Sequence, residues 1–102
     1  MEIEIKTAAQ FQEEIKQGKV LVDFYATWCG PCQMLSPLIA ELAEAHPEIK
    51  VLRIDVDENP DLAGQFFIRS IPTLLLFENG EKKDERLGFM PKPALERFVG
   101  IA

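Results

Sequence analysis

Both cysteines of the chain lie in the segment ATWCGPC, Ala26 to Cys32, as Cys29 and Cys32 with Gly30 and Pro31 between them. Two thiols at this spacing suit three kinds of chemistry: a fixed staple, half of a metal site, or a dithiol that opens and closes as it exchanges electrons. A staple over so short a loop constrains the unfolded chain little. A structural metal needs about four ligands. Beyond this pair there is no cysteine and a single histidine, His46, roughly four helical turns from Cys32. The exchanging dithiol fits best. If Cys29 caps a helix, its sulfur faces unpaired backbone amides and the positive end of the helix dipole. Both favour thiolate over thiol, which makes Cys29 the exposed, attacking sulfur. Cys32, one turn further on and more shielded, is within a small adjustment of disulfide distance. Gly30 keeps bulk away from the sulfur, and Pro31 stiffens the first turn, where its missing amide costs little.

The elements that position this pair follow from hydrophobic period. Val20 to Ala26, VLVDFYA, is β-rich and nearly all apolar, as suits a strand buried on both faces, with Asp23 the one anomaly. From Gly30 to His46 the period is helical: Leu35, Leu38, Leu42 and Ala45 share a face, with Ile39 beside them and Pro37 inside. The cysteines therefore fall where a buried strand passes into a helix, at the carboxyl end of the strand, where α/β sheets carry their sites. Upstream, Glu2 to Ile5 reads as a short edge strand. Thr7 to Gln10 fits a capping box for a helix with Ala8, Phe11 and Ile15 inward, and Gly18 is placed to end it.

Downstream, Ile49 to Val56 reads as a strand, Asp57 to Pro60 as a loop, and Leu62, Ala63 and Phe66 as the inner side of a short helix. Thr73 to Phe77 is another buried strand. Asn79-Gly80 signals a tight hairpin, with Lys82 to Leu87 returning as a more polar strand. Leu95, Phe98 and Val99 outline a last helix starting near Pro91 or Pro93. The expected order is β-α-β-α-β-α-β-β-α in one domain over residues 1–102: an α/β fold with a mixed central sheet of about five strands, flanked by four helices in three layers, α/β/α.

Composition narrows the partners. The 102 residues carry 11 basic and 17 acidic side chains, a formal charge of −6 without a basic run, which argues against nucleic acid and anionic lipid surfaces. The longest apolar runs are strand-sized, which argues against a membrane span. MEIEIKTAAQ lacks the layout of a secretory signal, so a cytoplasmic setting is expected, where a permanent disulfide would be unusual.

WCGPC behind a strand resembles the thioredoxin active site, and the resemblance runs over essentially the whole chain through VDFYATWCGPCQMLSP, IDVDENPDLA, IRSIPTLLLFENG and Leu87-Gly88. It implies a thioredoxin fold and a protein-disulfide reductase. Cys29 would attack a client disulfide and Cys32 would resolve the mixed disulfide. The working group would be the redox-active Cys29–Cys32 pair, with no bound cofactor and no metal. Its implied partners are client proteins with accessible disulfides and a thioredoxin reductase, linked to NADPH or ferredoxin, and the protein would work as a monomer. An alternative is a non-redox binding subunit of a larger complex that uses only the apolar active-site surface.

Asp23 reads either as a carboxylate at a bulge or facing solvent, or as a buried carboxyl whose pKa is raised by desolvation. The resemblance gives the matching Asp the task of taking the Cys32 proton. For the Ile71–Pro72 bond, sequence alone favours trans, whereas the resemblance implies a cis proline beside the sulfurs, with Ile71 offering backbone hydrogen bonds to an extended client. Trp28 suits either the core or a wall of the site. The resemblance joins it to Gly30, Pro31, Ile71, Gly88 and Phe89 in an apolar patch that presses onto clients. Three positions depart from the family pattern: Tyr25 stands where many thioredoxins carry a second Trp, Gln33 replaces a usual Lys or Arg, and Arg53 replaces a common Lys. An Arg that never loses its charge is expected to tune the relay around Asp23 differently.

Overall fold

Successive side chains along each strand point to opposite faces of the sheet, and helices cover both, so that the central strands are buried almost throughout. The elements are β1 (Glu2–Glu4), α1 (Ala8–Glu14), β2 (Lys19–Tyr25), α2 (Gly30–Ala45), β3 (Ile49–Asp55), α3 (Pro60–Gln65), β4 (Thr73–Glu78), β5 (Glu81–Leu87) and α4 (Lys92–Val99). They are seen in a computed structural model that describes residues 1–101. The strands form one sheet in the order β1-β3-β2-β4-β5. β1 and β2 run parallel to β3, and β4 runs antiparallel to both β2 and β5. The order of elements and the mixed sheet agree with the sequence reading.

The central strand β2 shows how the layers form. Val20, Val22 and Phe24 point into one core with Phe11 of α1 and Leu62 of α3. Leu21 points into the other, with Leu35, Ile39 and Leu42 of α2 and Leu95, Phe98 and Val99 of α4. Two residues beyond Leu21, Asp23 lies on that same α2 side. In the first core the rings of Phe11, Phe66 and Phe77 meet edge to face at centroid distances of 5.5–6.1 Å, a favourable geometry for aromatic quadrupoles.

Local signals held in most places. Asn79 and Gly80 both take positive φ, at 51° and 86°, and close the β4–β5 hairpin as their sequence demands. Thr7 caps α1 by accepting from the Gln10 amide, but the Gln10 side chain reaches back to the amide of Lys6 rather than to Thr7 itself.

Two expectations need correction. Gly18 does not end α1, which stops at Glu14. Its positive φ of 76° serves the turn into β2, where its amide donates to Asn79 Oδ1 and its carbonyl accepts from the Asn79 amide. Ala45 is exposed, because the buried stripe of α2 runs through Cys32, Leu35, Ile39, Leu42 and Ala43 instead. Gly30 is exposed, and apart from its own chain neighbours and helix backbone a methyl group there would meet no atom within 4 Å. The bareness at Gly30 faces outward.

Candidate active site

β2 ends at Tyr25, and four residues later Cys29 occupies the N-cap of α2 in extended backbone. Its sulfur accepts a hydrogen bond from the Cys32 amide at 3.2 Å, so the electron-rich atom sits on an amide that the helix leaves free. Pro31 occupies the first turn, where no amide is needed. Cys29 and Cys32 are joined as a disulfide with their Cα atoms 5.2 Å apart. The expected contrast in exposure is absent in this oxidised state: Cys29 is 5% exposed and Cys32 3%. Both cysteines lie in a small apolar cluster with Ala26, packed against Tyr25, Val56 and Ile71.

The loop before β4 supplies the other wall. The Ile71–Pro72 peptide is cis, against the bias of sequence alone and as the family resemblance implied. Cys29 Sγ lies 3.8 Å from the Ile71 carbonyl oxygen. A disulfide sulfur carries no hydrogen, so this is a contact, and only the free thiol would donate there. The Pro72 carbonyl accepts from the Gly88 amide at 2.8 Å, which ties the start of β4 to the residue after β5. Gly88 needs its φ of 86° to make that turn.

Trp28 stands 70% exposed beside the disulfide, which decides against a core role. Its indole Nε1 donates to Asp57 Oδ2 at 2.8 Å. Gly30 and Pro31 are exposed, Ile71 and Gly88 are half-buried, and Phe89 is 40% exposed. Asp57 was not singled out from the sequence. Its only signal there was an acidic loop after β3 at the sheet end that carries the cysteines. Phe67, 80% exposed with a φ of 54°, and the exposed Met34 were likewise unanticipated.

Beneath α2, Asp23 is 2% exposed. Burial pushes its carboxyl up to about 6, against the opposing pull of Arg53. Arg53 Nε lies 2.9 Å from Asp23 Oδ2, yet its N–H is not aimed at the oxygen, and Asp23 Oδ1 has no partner. The contact is thus an ion pair with poor hydrogen-bond alignment, and a carboxylate held this loosely stays basic. Arg53 also donates to Ser36 Oγ at 3.2 Å, lies 3.6 Å from Glu2 Oε1, and stacks 4.3 Å over the Tyr25 ring. Tyr25 in turn donates to Glu4 Oε2 at 2.7 Å.

A cleft of about 220 Å³ lined by Tyr25, Ala26, Thr27, Cys32, Gln33, Ser36 and Arg53 joins the second sulfur to this ionic group. A larger cavity of about 480 Å³ lies at the far end of α2, against α4, away from the cysteines. Among the described residues no group of three or more His, Cys, Asp or Glu side chains is arranged to hold a metal ion.

Comparison with known proteins agrees with this geometry. The family profile described as Thioredoxin matches residues 2–100. The chain is 46% identical over 94 residues to a thioredoxin of Bacillus subtilis, covering 91% of this chain and 90% of the relative. It is 50% identical over 92 residues to one of Alicyclobacillus acidocaldarius, covering 88% of each. Among solved structures, a mutant thioredoxin from Halobacterium salinarum superposes with a TM-score of 0.89 at 39% identity, over 96% of this chain and 87% of that one. The oxidised mitochondrial thioredoxin 3 of Saccharomyces cerevisiae gives 0.86 at 36% identity, over 94% and 91%.

Proposed function

The chain belongs to the thioredoxin family and is a protein-disulfide reductase; we propose that Cys29 is its attacking sulfur, Cys32 its resolving sulfur and Asp23 the base that activates the second. The observation that carries this reading is the Cys29–Cys32 disulfide, at the N-cap of α2 and on the same side of the sheet as a buried carboxyl that titrates near neutrality.

In the reduced protein, Cys29 thiolate attacks one sulfur of a client disulfide. The client S–S bond breaks, its other sulfur leaves as a thiolate, and a mixed disulfide remains. Cys32 passes its proton to Asp23, directly or through water in the adjoining cleft, and attacks Cys29 Sγ. The mixed disulfide breaks, the second client thiolate leaves, and the Cys29–Cys32 bond forms. Two electrons have moved from the dithiol to the client. An acid titrating near 6 is mostly ionised at pH 7 while remaining a competent proton acceptor, which suits general-base work at that pH.

The apolar surface for clients comprises Trp28, Gly30, Pro31, Ile71, Gly88 and Phe89. Pro72, held cis beside the disulfide, orients the Ile71 backbone for pairing with an extended client segment. Client proteins with accessible disulfides, and a thioredoxin reductase that returns two electrons to the pair, are the partners this cycle requires. The redox group is the protein's own disulfide, acting without a bound cofactor. The protein works as a monomer in the cytoplasm, where a permanent disulfide would be unusual and the reductase returns the pair to its dithiol form.

Insulin-disulfide reduction with dithiothreitol tests the activity, and a Cys32→Ser chain tests the division of roles. The variant should accumulate a mixed disulfide with client proteins, whereas Cys29→Ser should form none. Trapping through Cys32 in place of Cys29 would reverse the assignment. A Cys29→Ser, Cys32→Ser chain that kept full function would point to a binding role instead.

A further inference from the structure

Glu4, Arg53 and Asp23 form one row across the sheet. Glu4 is the register partner of Arg53 across β1 and β3, and Asp23 is its partner across β2 and β3. Registered residues share a face, as do residues two apart on a strand, so Glu2 and Tyr25 join the row on the α2 side. One guanidinium therefore faces three carboxylates. It sits 2.9 Å from Asp23 and 3.6 Å from Glu2. Glu4 is taken elsewhere: its Oε2 accepts from the Tyr25 hydroxyl at 2.7 Å.

That hydrogen bond joins β2 to β1 over the top of β3, and the Arg53 guanidinium lies 4.3 Å from the centroid of the same tyrosine ring. Burial and the Glu4 carboxylate push the Tyr25 phenol well above its usual range, so its hydroxyl stays a donor. The remaining groups around Asp23 are accounted for. Arg53 comes from β3, Glu2 and Glu4 from β1, Cys32 and Ser36 from α2, and Leu74, its register partner on β4, is apolar.

We propose that Tyr25 and Glu4 are positioning residues of the resolving step: the Tyr25 hydroxyl holds the Glu4 carboxylate off Arg53, leaves the guanidinium to Asp23, and so sets the pH range in which Asp23 accepts the Cys32 proton. The inference rests on the reading of Asp23 as that base. Its physical content is competition. A free Glu4 beside Arg53 would draw the cation away from Asp23 and make the aspartate harder to ionise. Removing the Glu4 charge would do the opposite.

The test follows the Asp23 carboxyl carbon by NMR against pH in the oxidised protein, where the cysteines do not titrate, together with the pH profile of mixed-disulfide resolution. Tyr25→Phe keeps the ring and deletes the hydroxyl, and should move both inflections up by about half a pH unit or more. Glu4→Gln keeps the shape, deletes the charge, and should move them down. With no carboxylate left to release, the combined Tyr25→Phe, Glu4→Gln chain should lose the upward shift. A Tyr–Glu bond that merely ties strands together would lower stability in both single variants without shifting them in opposite directions. An unmoved carboxyl titration, or two shifts of the same sign, overturns the inference alone. An Asp23→Asn chain with the wild-type resolution profile overturns the base reading and the inference with it.

Discussion

Arg53 stands opposite Asp23 on the neighbouring parallel strand, and the two side chains meet at 2.9 Å while Asp23 Oδ1 keeps no partner. A fully bonded pair would lock the aspartate as an anion. Here burial outweighs the cation, and the carboxyl is lifted to about 6. The imperfect pairing leaves a group inside the core that can gain and lose a proton near neutral pH.

Stability should fall as pH rises, because of this residue. Its folded pKa of about 6 exceeds the unfolded value of 3.8, so the fold favours the neutral acid. The contribution is full below 3.8 and is lost as pH climbs through about 6, amounting to about 3 kcal/mol. Urea unfolding of the oxidised protein at pH 4 and pH 8 measures it. Asp23→Asn should flatten most of the difference and be the more stable chain at pH 8. A wild-type chain that is no less stable at pH 8 contradicts the assignment.

Asp57→Ala removes the acceptor of the Trp28 indole. The bond is exposed, so the stability loss should stay within about 1 kcal/mol. Its effect should show at the surface, where a loosened Trp28 lowers the reduction rate of protein disulfides several-fold, by about one RT unit or two, and spares a small aromatic disulfide. Fluorescence of the chain's single tryptophan reports the change directly. Equal losses on both substrates would argue against a role in client docking.

Phe67→Gly should stabilise the protein. Phe67 holds a φ of 54° with its ring 80% exposed, so it bears the left-handed penalty with little burial in return. Relief of about 1 kcal/mol is expected after the extra freedom of an unfolded glycine is subtracted. A lower urea midpoint would show that the ring is held by contacts worth more than the strain.

Phe11→Ala probes the opposite face of the sheet. Phe11 is fully buried and meets Phe66 and Phe77 edge to face, so its loss should cost about 3–5 kcal/mol. The Asp23 titration should be unmoved, since Asp23 faces the other core. A coupled shift would mean that the two layers do not act independently.

Much of this molecule was legible in the chain. The apolar run of VLVDFYA, broken only by Asp23, marked a central strand, Asn79-Gly80 marked the hairpin, and the Thr7 cap marked α1, because each depends on neighbours within a few residues. The site was readable for the same reason: strand, cap, Gly-Pro and both sulfurs lie in one short segment. What failed was whatever required distant partners. Gly18 looked like a helix end, but its task is set by Asn79 across the hairpin. Ala45 matched the helical period and is still exposed, because the buried stripe of α2 runs through Leu35, Ile39, Leu42 and Ala43 instead.

By itself, then, the sequence determined the order of elements, the two-faced sheet, and a dithiol at a helix start, since hydrophobic period and local backbone chemistry act along the chain. Tertiary structure alone decided that both sulfurs are covered when bonded, that Asp57 holds Trp28, and that Tyr25 takes Glu4 while Arg53 takes Asp23. Those outcomes depend on strand register and loop placement, which bring residues tens of positions apart within a few ångströms, and on the removal of water that makes a single cation worth competing for.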